Sequence, residues 1–356
     1  MTKLEKLRAA LSEKGIDAVL IYDELNQRYL SDFAFSDGLL VITMDRAELI
    51  TDFRYYEMAC NKADKAFNPV MPEKRNDYIL SVLKESGAKT VGFEGKCVSY
   101  ERYRALCETF AEFEFVNIGE TVENIRQIKT PEEIGFMQKA QDIADAAFSH
   151  IIKVLNPNMT EIDVAAEIEH VMRKNGAEGT SFDTIAVSGD ASALPHGTPR
   201  NVKLKKGFLT MDYGAKFNGY CSDMTRTVVI GRADADIKKL YNTVLKAQLA
   251  ALDYLREGQD CATADKIARD IIDSIPEYKG TFGHSLGHSI GLYVHESPRL
   301  SRLAGGHKMR VGEIYTTEPG IYLFGKYGCR IEDMVAIEKD GVYNFTHSTK
   351  ELIEIL

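Results

Sequence analysis

The dipeptide Asn218-Gly219 stands between two β-patterned runs in "MDYGAKFNGYCSDMT". Asn-Gly is the strongest short-range signal for a two-residue hairpin, because both central residues of the favoured turn need a positive φ. A turn there fixes the register of everything beside it. Asp212 falls opposite Thr225. Asp223, two residues earlier, shares that face as a diagonal neighbour roughly 7–8 Å away. Asp is depleted from strands. One Asp on a strand is usually an exposed edge residue, whereas two aimed at the same space in apolar strands need a cation between them.

A second stretch repeats the device. "TTEPGIYLFGKYGCRIED" has a turn centred near Gly325, and that register sets Glu318 directly opposite Glu332. Like charges directly opposite are destabilising unless something neutralises them. Arg330, on the same face as Glu332, offsets part of the charge, and a purely structural Arg–Glu cluster is the alternative for this hairpin alone. Four converging carboxylates suit one or two divalent cations. Oxygen ligands alone favour Mg²⁺, Ca²⁺ or Mn²⁺, and one added imidazole shifts the choice toward Mn²⁺, Co²⁺, Zn²⁺ or Fe²⁺.

Three of the eight histidines fall in "GHSLGHSIGLYVHE", Gly283 to Glu296. His284 and His288 are spaced for one helix face, but the interleaved Gly and Ser argue against a helix. "IGLYVHE" reads instead as a strand, with His288 just before it and His295 near its far end. His284 is expected to be a hydrogen-bonded loop histidine. His196, in "SALPHGTPR", follows a strand on a loop stiffened by flanking prolines, a common platform for a working side chain. His150, His170, His307 and His347 have no such context and read as surface or packing residues.

The chain has 356 residues, more than one hydrophobic core usually serves, so two domains are expected. Residues 1–122 alternate short apolar runs with helical patterns: a strand over Ile16–Tyr22, a hairpin around Asp45-Arg46, a helix ending at Gly87, then strand and helix again. That pattern predicts a small α/β domain. Residues 123–356 differ. Thr130, Pro131 and Glu133 form a helix-capping signature, and a second helix is capped by Thr160 and stopped by Gly176. Strands follow, and the order of two helices then strands recurs, which predicts a duplicated α+β unit. The formal net charge of −9 is spread along the chain, arguing against nucleic-acid or anionic-membrane partners. No apolar run approaches the ~18 residues of a membrane span. The N-terminus lacks a signal peptide's apolar core, and the six Cys form no CxxC pair. Reduced thiols and a cytoplasmic location are expected.

Taken in order, "MDYGAKFNGYCSDMTRT", "GHSLGHSIGLYVHESP", "TTEPGIY" and "RIEDM" resemble the pita-bread metallopeptidases, in the branch of Xaa-Pro dipeptidases (prolidases) and Xaa-Pro aminopeptidases. "SDGLLVIT" and "TDFRYYEMA" resemble that branch's N-terminal domain. The resemblance implies an α+β fold, with a creatinase/aminopeptidase-like pita-bread domain preceded by a smaller creatinase-type α/β domain. It implies five ligands for two divalent metal ions, with Mn²⁺ expected ahead of Co²⁺, Zn²⁺ or Fe²⁺: Asp212, Asp223, His288, Glu318 and Glu332, of which Asp223 and Glu332 bridge. It implies catalytic proton transfer by Glu318, substrate and oxyanion contact by His295, substrate contact or proton shuttling by His196, and support of the carboxylates by Arg330.

Arg299 matches an arginine that in similar dipeptidases binds the carboxylate of a dipeptide, which favours a prolidase over an aminopeptidase acting on longer peptides. A surface role for Arg299 is the alternative, and the "AGGHK" stretch after it reads as flexible. The implied partners are small peptides with proline at the second position and a second copy of the chain in a homodimer. Three rivals share the fold. A creatinase-like hydrolase works without metal, and a non-catalytic peptide-binding module would have lost ligands, yet all five positions carry ligand-competent residues. A methionine aminopeptidase would lack the N-terminal domain.

Overall fold

The computed structural model describes residues 1–356. Contacts within it divide the chain into two units, Met1–Arg126 and Gln127–Leu356. The boundary expected at 122/123 falls inside a short helix, Thr121–Arg126, that stays whole in the first unit.

In the first unit the elements run α1 (Lys3–Glu13), β1 (Ala18–Ile21), α2 (Glu24–Ser31), β2 (Leu39–Thr43), β3 (Ala47–Ile50) and α3 (Tyr56–Lys62). They continue as β4 (Asn68–Val70), α4 (Arg75–Glu85), β5 (Thr90–Phe93), α5 (Tyr100–Thr109), β6 (Glu114–Asn117) and α6 (Thr121–Arg126). The strands form one mixed sheet in the order β4-β3-β2-β1-β5-β6. The pairs β1/β2 and β2/β3 are antiparallel, so the expected hairpin around Asp45-Arg46 is present. Every residue of β1, β2 and β3 is buried, as a sheet covered on both faces requires.

The second unit opens with α7 (Pro131–Val154) and α8 (Glu161–Lys174). Thr130 and Glu133 close a capping box around Pro131, and Thr160 caps α8. Then come β7 (Gly179–Thr180), β8 (Ile185–Ser188), β9 (Gly207–Tyr213), β10 (Ala215–Phe217), β11 (Tyr220–Cys221) and β12 (Met224–Ile230). The helix pair recurs as α9 (Ala235–Tyr254) and α10 (Cys261–Asp273). After it run β13 (Gly287–Ser289), β14 (Glu296–Leu300), β15 (Ile314–Thr317), β16 (Gly320–Leu323) and β17 (Tyr327–Arg330). The last strands are β18 (Asp333–Ile337), β19 (Val342–Asn344) and β20 (Glu354–Ile355). Two sheets, β20-β12-β9-β8 and β14-β13-β15-β18-β19, carry the two repeats, while β11-β10-β7 and the ribbon β16-β17 extend from them.

Strand alternation decides what each face meets. Leu209, Met211 and Tyr213 of β9 point into one core with Ile143, Ala147, Ile151 and Ile168 of α7 and α8. Phe208, on the opposite face, joins a second core with Leu240, Val244, Ala264 and Ala268 of α9 and α10. Each fully buried aliphatic side chain contributes about 1.5–3 kcal/mol. Asp212 shares the face of Phe208, so packing of the other face against α7 and α8 turns it toward the second repeat.

One expected strand is absent. Ile290–His295 forms a bent loop between β13 and β14, which pair with a register shift after His288. His288 therefore lies within β13, and His295 ends the loop. Two glycines permit the close approaches that the ribbons need. A Cβ on Gly214 would lie 1.8 Å from the Ser222 carbonyl oxygen, and one on Gly287 would lie 1.9 Å from that of Thr316.

Gly214→Ala should destabilise the protein by about 3 kcal/mol, because the obstructing atom is backbone and cannot swing away. Urea denaturation of the metal-free protein measures this. An unchanged midpoint would show that the ribbon can part at Gly214 without cost.

Candidate metal centre

The first hairpin keeps a single register from end to end. Asp212 pairs with Thr225 in β9/β12, and Phe217 pairs with Tyr220 beside the turn. Asn218 has φ 46° and Gly219 φ 78°, as the turn demands. Asp223 lies where the ribbon passes between sheets. The second hairpin behaves likewise. Thr317 pairs with Asp333 and Gly320 with Arg330, which makes Glu318 the counterpart of Glu332 at the same kind of junction.

Thr225 joins the two hairpins. Its hydroxyl donates to Glu332 Oε2 at 2.7 Å and accepts from Arg330 Nε at 3.0 Å. Its carbonyl accepts the Glu332 N–H at 3.1 Å. Behind it, the buried Arg226 guanidinium donates to the carbonyls of Thr225 and Glu332, to Asp333 Oδ1 at 2.8 Å, and to the carbonyls of Ser348 and Thr349. Burial alone would raise the Asp333 carboxyl, but Arg226 and Lys350 outweigh it and hold its pKa below the ordinary value.

Asp223, His288 and Glu332 present ligand atoms that all lie within 4.8 Å of one another. His288 Nε2 is 3.6 Å from Asp223 Oδ2 and 3.5 Å from Glu318 Oε1. Its Nδ1 is 3.1 Å from the Ser289 carbonyl, so Nδ1 carries the proton and Nε2 presents a lone pair. Burial, reinforced by His295, lowers its pKa to about 3. A neutral imidazole facing two carboxylates is repulsive unless a cation or proton lies between them.

The carboxyl groups carry the same strain. Burial and mutual repulsion raise Asp223 and Glu332 well above ordinary carboxyl values. Burial, helped by Asp212 and opposed by Arg330, raises Glu318 to about 8. Arg330 gives one N–H to Asp212 Oδ2 at 2.5 Å, while the buried Asp212 Oδ1 has no partner. An orphaned carboxylate oxygen, an unprotonated imidazole nitrogen and four acids against one guanidinium fit divalent cations, and the mixed O and N donor set fits Mn²⁺, Co²⁺, Zn²⁺ or Fe²⁺.

A cavity of about 520 Å³ opens onto these residues, within the range that holds small ligands. His196, His295 and Arg299 line it beside Phe182, Ile185 and Val294. His295 stacks edge-on to His288, with ring centroids 4.5 Å apart. Arg299 is the direct cross-strand partner of His288, so both project to one side. The stretch read as flexible is tied down where His307 Nε2 meets Glu313 at 3.0 Å.

The His196 loop is closed at its base by Glu161. This buried carboxylate accepts from Ser188 N and Oγ at one end and from Arg200 N, Nε and Nη2 at the other. His284 donates from Nδ1 to the Ser285 carbonyl at 2.9 Å and accepts from the Tyr322 hydroxyl at 2.9 Å. Tyr322 in turn accepts from Arg330 Nη1 at 2.7 Å. Burial, reinforced by Arg330, lowers His284 to about 4. Neither Thr225 nor Tyr322 was picked out from sequence, although Thr225 faces Asp212 and Tyr322 lies an even number of residues from Glu318 along the same ribbon.

Residues 135–339 match the model of metallopeptidase family M24, and residues 3–128 match that of the creatinase/prolidase N-terminal domain. The chain belongs to metallopeptidase family M24. Family M24 enzymes use divalent metal ions. Among its relatives is an Xaa-Pro dipeptidase from Pyrococcus furiosus, 37% identical over 353 residues and covering 99% of both chains. The solved Xaa-Pro dipeptidase from Bacillus anthracis superposes with a TM-score of 0.95 at 40% identity over 99% of both chains. An X-Pro aminopeptidase structure from Thermotoga maritima MSB8 superposes with a TM-score of 0.91 at 35% identity over 100% of both. The two-domain expectation, a creatinase-type N-terminal domain before a pita-bread domain, is borne out. No helix of this M24 chain is long and apolar enough to cross a membrane.

The metal-free protein should show a pH dependence with a definite sign. Glu318 has a folded pKa of about 8 against an ordinary 4.5, so its contribution to stability is complete below about 4.5 and lost as pH rises through about 8. Asp223 and Glu332 shift the same way. His288 acts oppositely: its contribution is present above 6.5 and is lost as pH falls toward about 3. Between pH 6.5 and 8 the carboxyl groups dominate, so the chelated protein should melt lower at pH 8. Added Mn²⁺ should raise Tm more at pH 8 than at pH 6.5 in scanning fluorimetry. A pH-independent metal effect would contradict the carboxylate centre.

Proposed function

We propose that this M24 chain is an Xaa-Pro dipeptidase that holds two divalent cations, manganese foremost, between Asp212, Asp223, His288, Glu318 and Glu332. The observation that carries the reading is His288 Nε2 turned toward Asp223 and Glu318, with Arg299 projecting beside it into the cavity. The names borne by the Pyrococcus furiosus and Bacillus anthracis relatives support the same substrate class.

Bound cations would supply an acidified water and stabilise negative charge on the scissile carbonyl. The chain's own groups do the rest. Asp212, Asp223, His288, Glu318 and Glu332 hold the ions, with Arg330 and Thr225 orienting Asp212 and Glu332. Glu318 takes a proton from the attacking water and passes it to the departing proline nitrogen. Burial, reinforced by Arg299, lowers the pKa of His295, which keeps its imidazole neutral and able to donate a hydrogen bond to the developing oxyanion. His196, on the rim formed by Pro195–Pro199, contacts substrate. Arg299 takes the carboxylate of a dipeptide, and its charge-assisted bond is the feature that favours dipeptides over longer chains.

A second reading, aminopeptidase action on longer peptides, is favoured by the match to the Thermotoga maritima structure and by the exposure of Arg299. Rates on Xaa-Pro and Xaa-Pro-Yaa-Zaa, measured after chelation and readdition of Mn²⁺, Co²⁺ or Zn²⁺, separate the two. Higher kcat/KM on the longer peptide would overturn the dipeptidase reading.

Asp223→Asn and Glu332→Gln should each lower kcat at least about 10³-fold and reduce bound metal measured by elemental analysis. Full activity in either variant would sink the dinuclear centre. Arg299→Ala should lower kcat/KM for Xaa-Pro about 10–100-fold while changing Xaa-Pro-Yaa-Zaa by less than about 3-fold. Equal losses on both substrates would remove the clamp.

A further inference from the structure

The loop Ile290–His295 joins two short strands and has no ladder of its own. Its two stems, Ser289 and Glu296, are cross-strand partners. Both stems meet one ammonium. Lys129 Nζ lies 3.2 Å from Glu296 Oε2 and 3.4 Å from Ser289 Oγ. The Lys129 side chain is 2% exposed and that of Glu296 10%. Lys129 immediately precedes the Thr130 cap of α7, and its N–H donates to the Gly312 carbonyl at 2.9 Å, so its main chain is anchored as well.

The loop is wrapped around the carboxylate that Lys129 holds. Glu296 Oε1 accepts the Tyr293 N–H at 3.2 Å. At Gly291 a Cβ would lie 2.7 Å from Glu296 Oε2, so the chain closes over the carboxylate there. Ser289 is also the residue whose carbonyl takes the Nδ1 proton of His288. One ammonium thus reaches the side chain beside His288 and the side chain beside His295, the two imidazoles whose rings meet edge-on.

We infer that Lys129 is a positioning residue for His295: its buried ammonium pins both ends of the Ile290–His295 loop and so fixes that imidazole against His288. The inference rests on the reading of His295 as a group that contacts the reacting carbonyl. Lys129 itself lies outside the cavity lining. A buried ion pair adds little net stability compared with an apolar pair of the same shape, so the work of this one is positional. Without Lys129, Ser289 Oγ and Glu296 Oε2 lose the donor they share, and the loop folded around that carboxylate is free to shift. A displacement of about 1 Å at a reacting group can cost about 100-fold in rate.

The experiment is a double-mutant cycle on the metal-loaded protein, with Lys129→Met, His295→Ala and both together. Bound metal is measured for each variant. Lys129→Met is expected to lower kcat on Xaa-Pro about 10–100-fold, with KM changed less than about 3-fold and metal content unchanged. In the His295→Ala background the same substitution is expected to cost less than about 2-fold. Propylamine, which replaces the missing part of the side chain, is expected to restore kcat in Lys129→Ala. Equal losses in both backgrounds, or a loss that tracks lost metal, would overturn the inference.

The imidazole C–H resonance of His295, assigned by its absence in His295→Ala, gives an independent readout. It is expected to shift in Lys129→Met, and an unmoved resonance overturns the clamp whatever the kinetics. Normal kinetics in His295→Ala would instead overturn the catalytic reading of His295. If Lys129→Met does not fold, Glu296→Gln, which keeps a hydrogen-bonding partner and removes the ion pair, takes its place with the same expected outcomes.

Discussion

Like charges that cannot leave one another govern the second unit of this protein. Two unit charges about 5 Å apart at an effective dielectric near 20 repel by roughly 3 kcal/mol, and the centre brings four carboxyl groups together. A flexible chain would let them part. Here each acid sits at or beside a junction where a ribbon changes sheets, and the ribbons are packed on their other faces against two helix pairs. Folding stability supplied elsewhere, by aliphatic burial in two cores, holds the acids where a cation would be bound most tightly. This is the pattern expected of functional sites, where local rules are broken and the remainder of the fold bears the cost.

The guanidinium groups divide the work of containing this charge. Arg330 acts on the side chains, bonding Asp212, Thr225 and Tyr322. Arg226 acts on the backbone, collecting carbonyls from four residues and pairing with Asp333. Asp333 also accepts from Gln248, Asn344 and Lys350, so its charge is fully used. Neither arginine could be replaced by lysine without loss, because each uses the planar fork to address several acceptors at fixed angles.

Much of this was legible in the sequence where local rules reach. An Asn-Gly turn has one register, so the pairing of Asp212 with Thr225 followed from counting, as did the pairing of Glu318 with Glu332. Cap residues located α7 and α8 for the same reason. The error at Ile290–His295 is instructive. Leu292 and Val294 are buried and Tyr293 and His295 exposed, so a two-residue period is present over the last four residues of the loop. It arises from a loop wrapped on a carboxylate, which periodicity cannot distinguish from a strand. Lys129 was not legible at all, since 160 and 167 residues separate it from the groups it holds. Tyr322 looked like any aromatic on a strand until the ribbon's twist brought its hydroxyl to Arg330.

Arg226 donates to carbonyls 122 and 123 residues further along the chain, at Ser348 and Thr349. That reach has a temporal meaning. Neither repeat owns the centre: Asp212 and Asp223 come from the first, and His288, Glu318 and Glu332 from the second. While the chain is being synthesised there is no fragment, however well its early helices have formed, in which these five side chains are assembled and braced. A clipped or half-made copy therefore lacks the assembled cluster, whatever ion that cluster would hold.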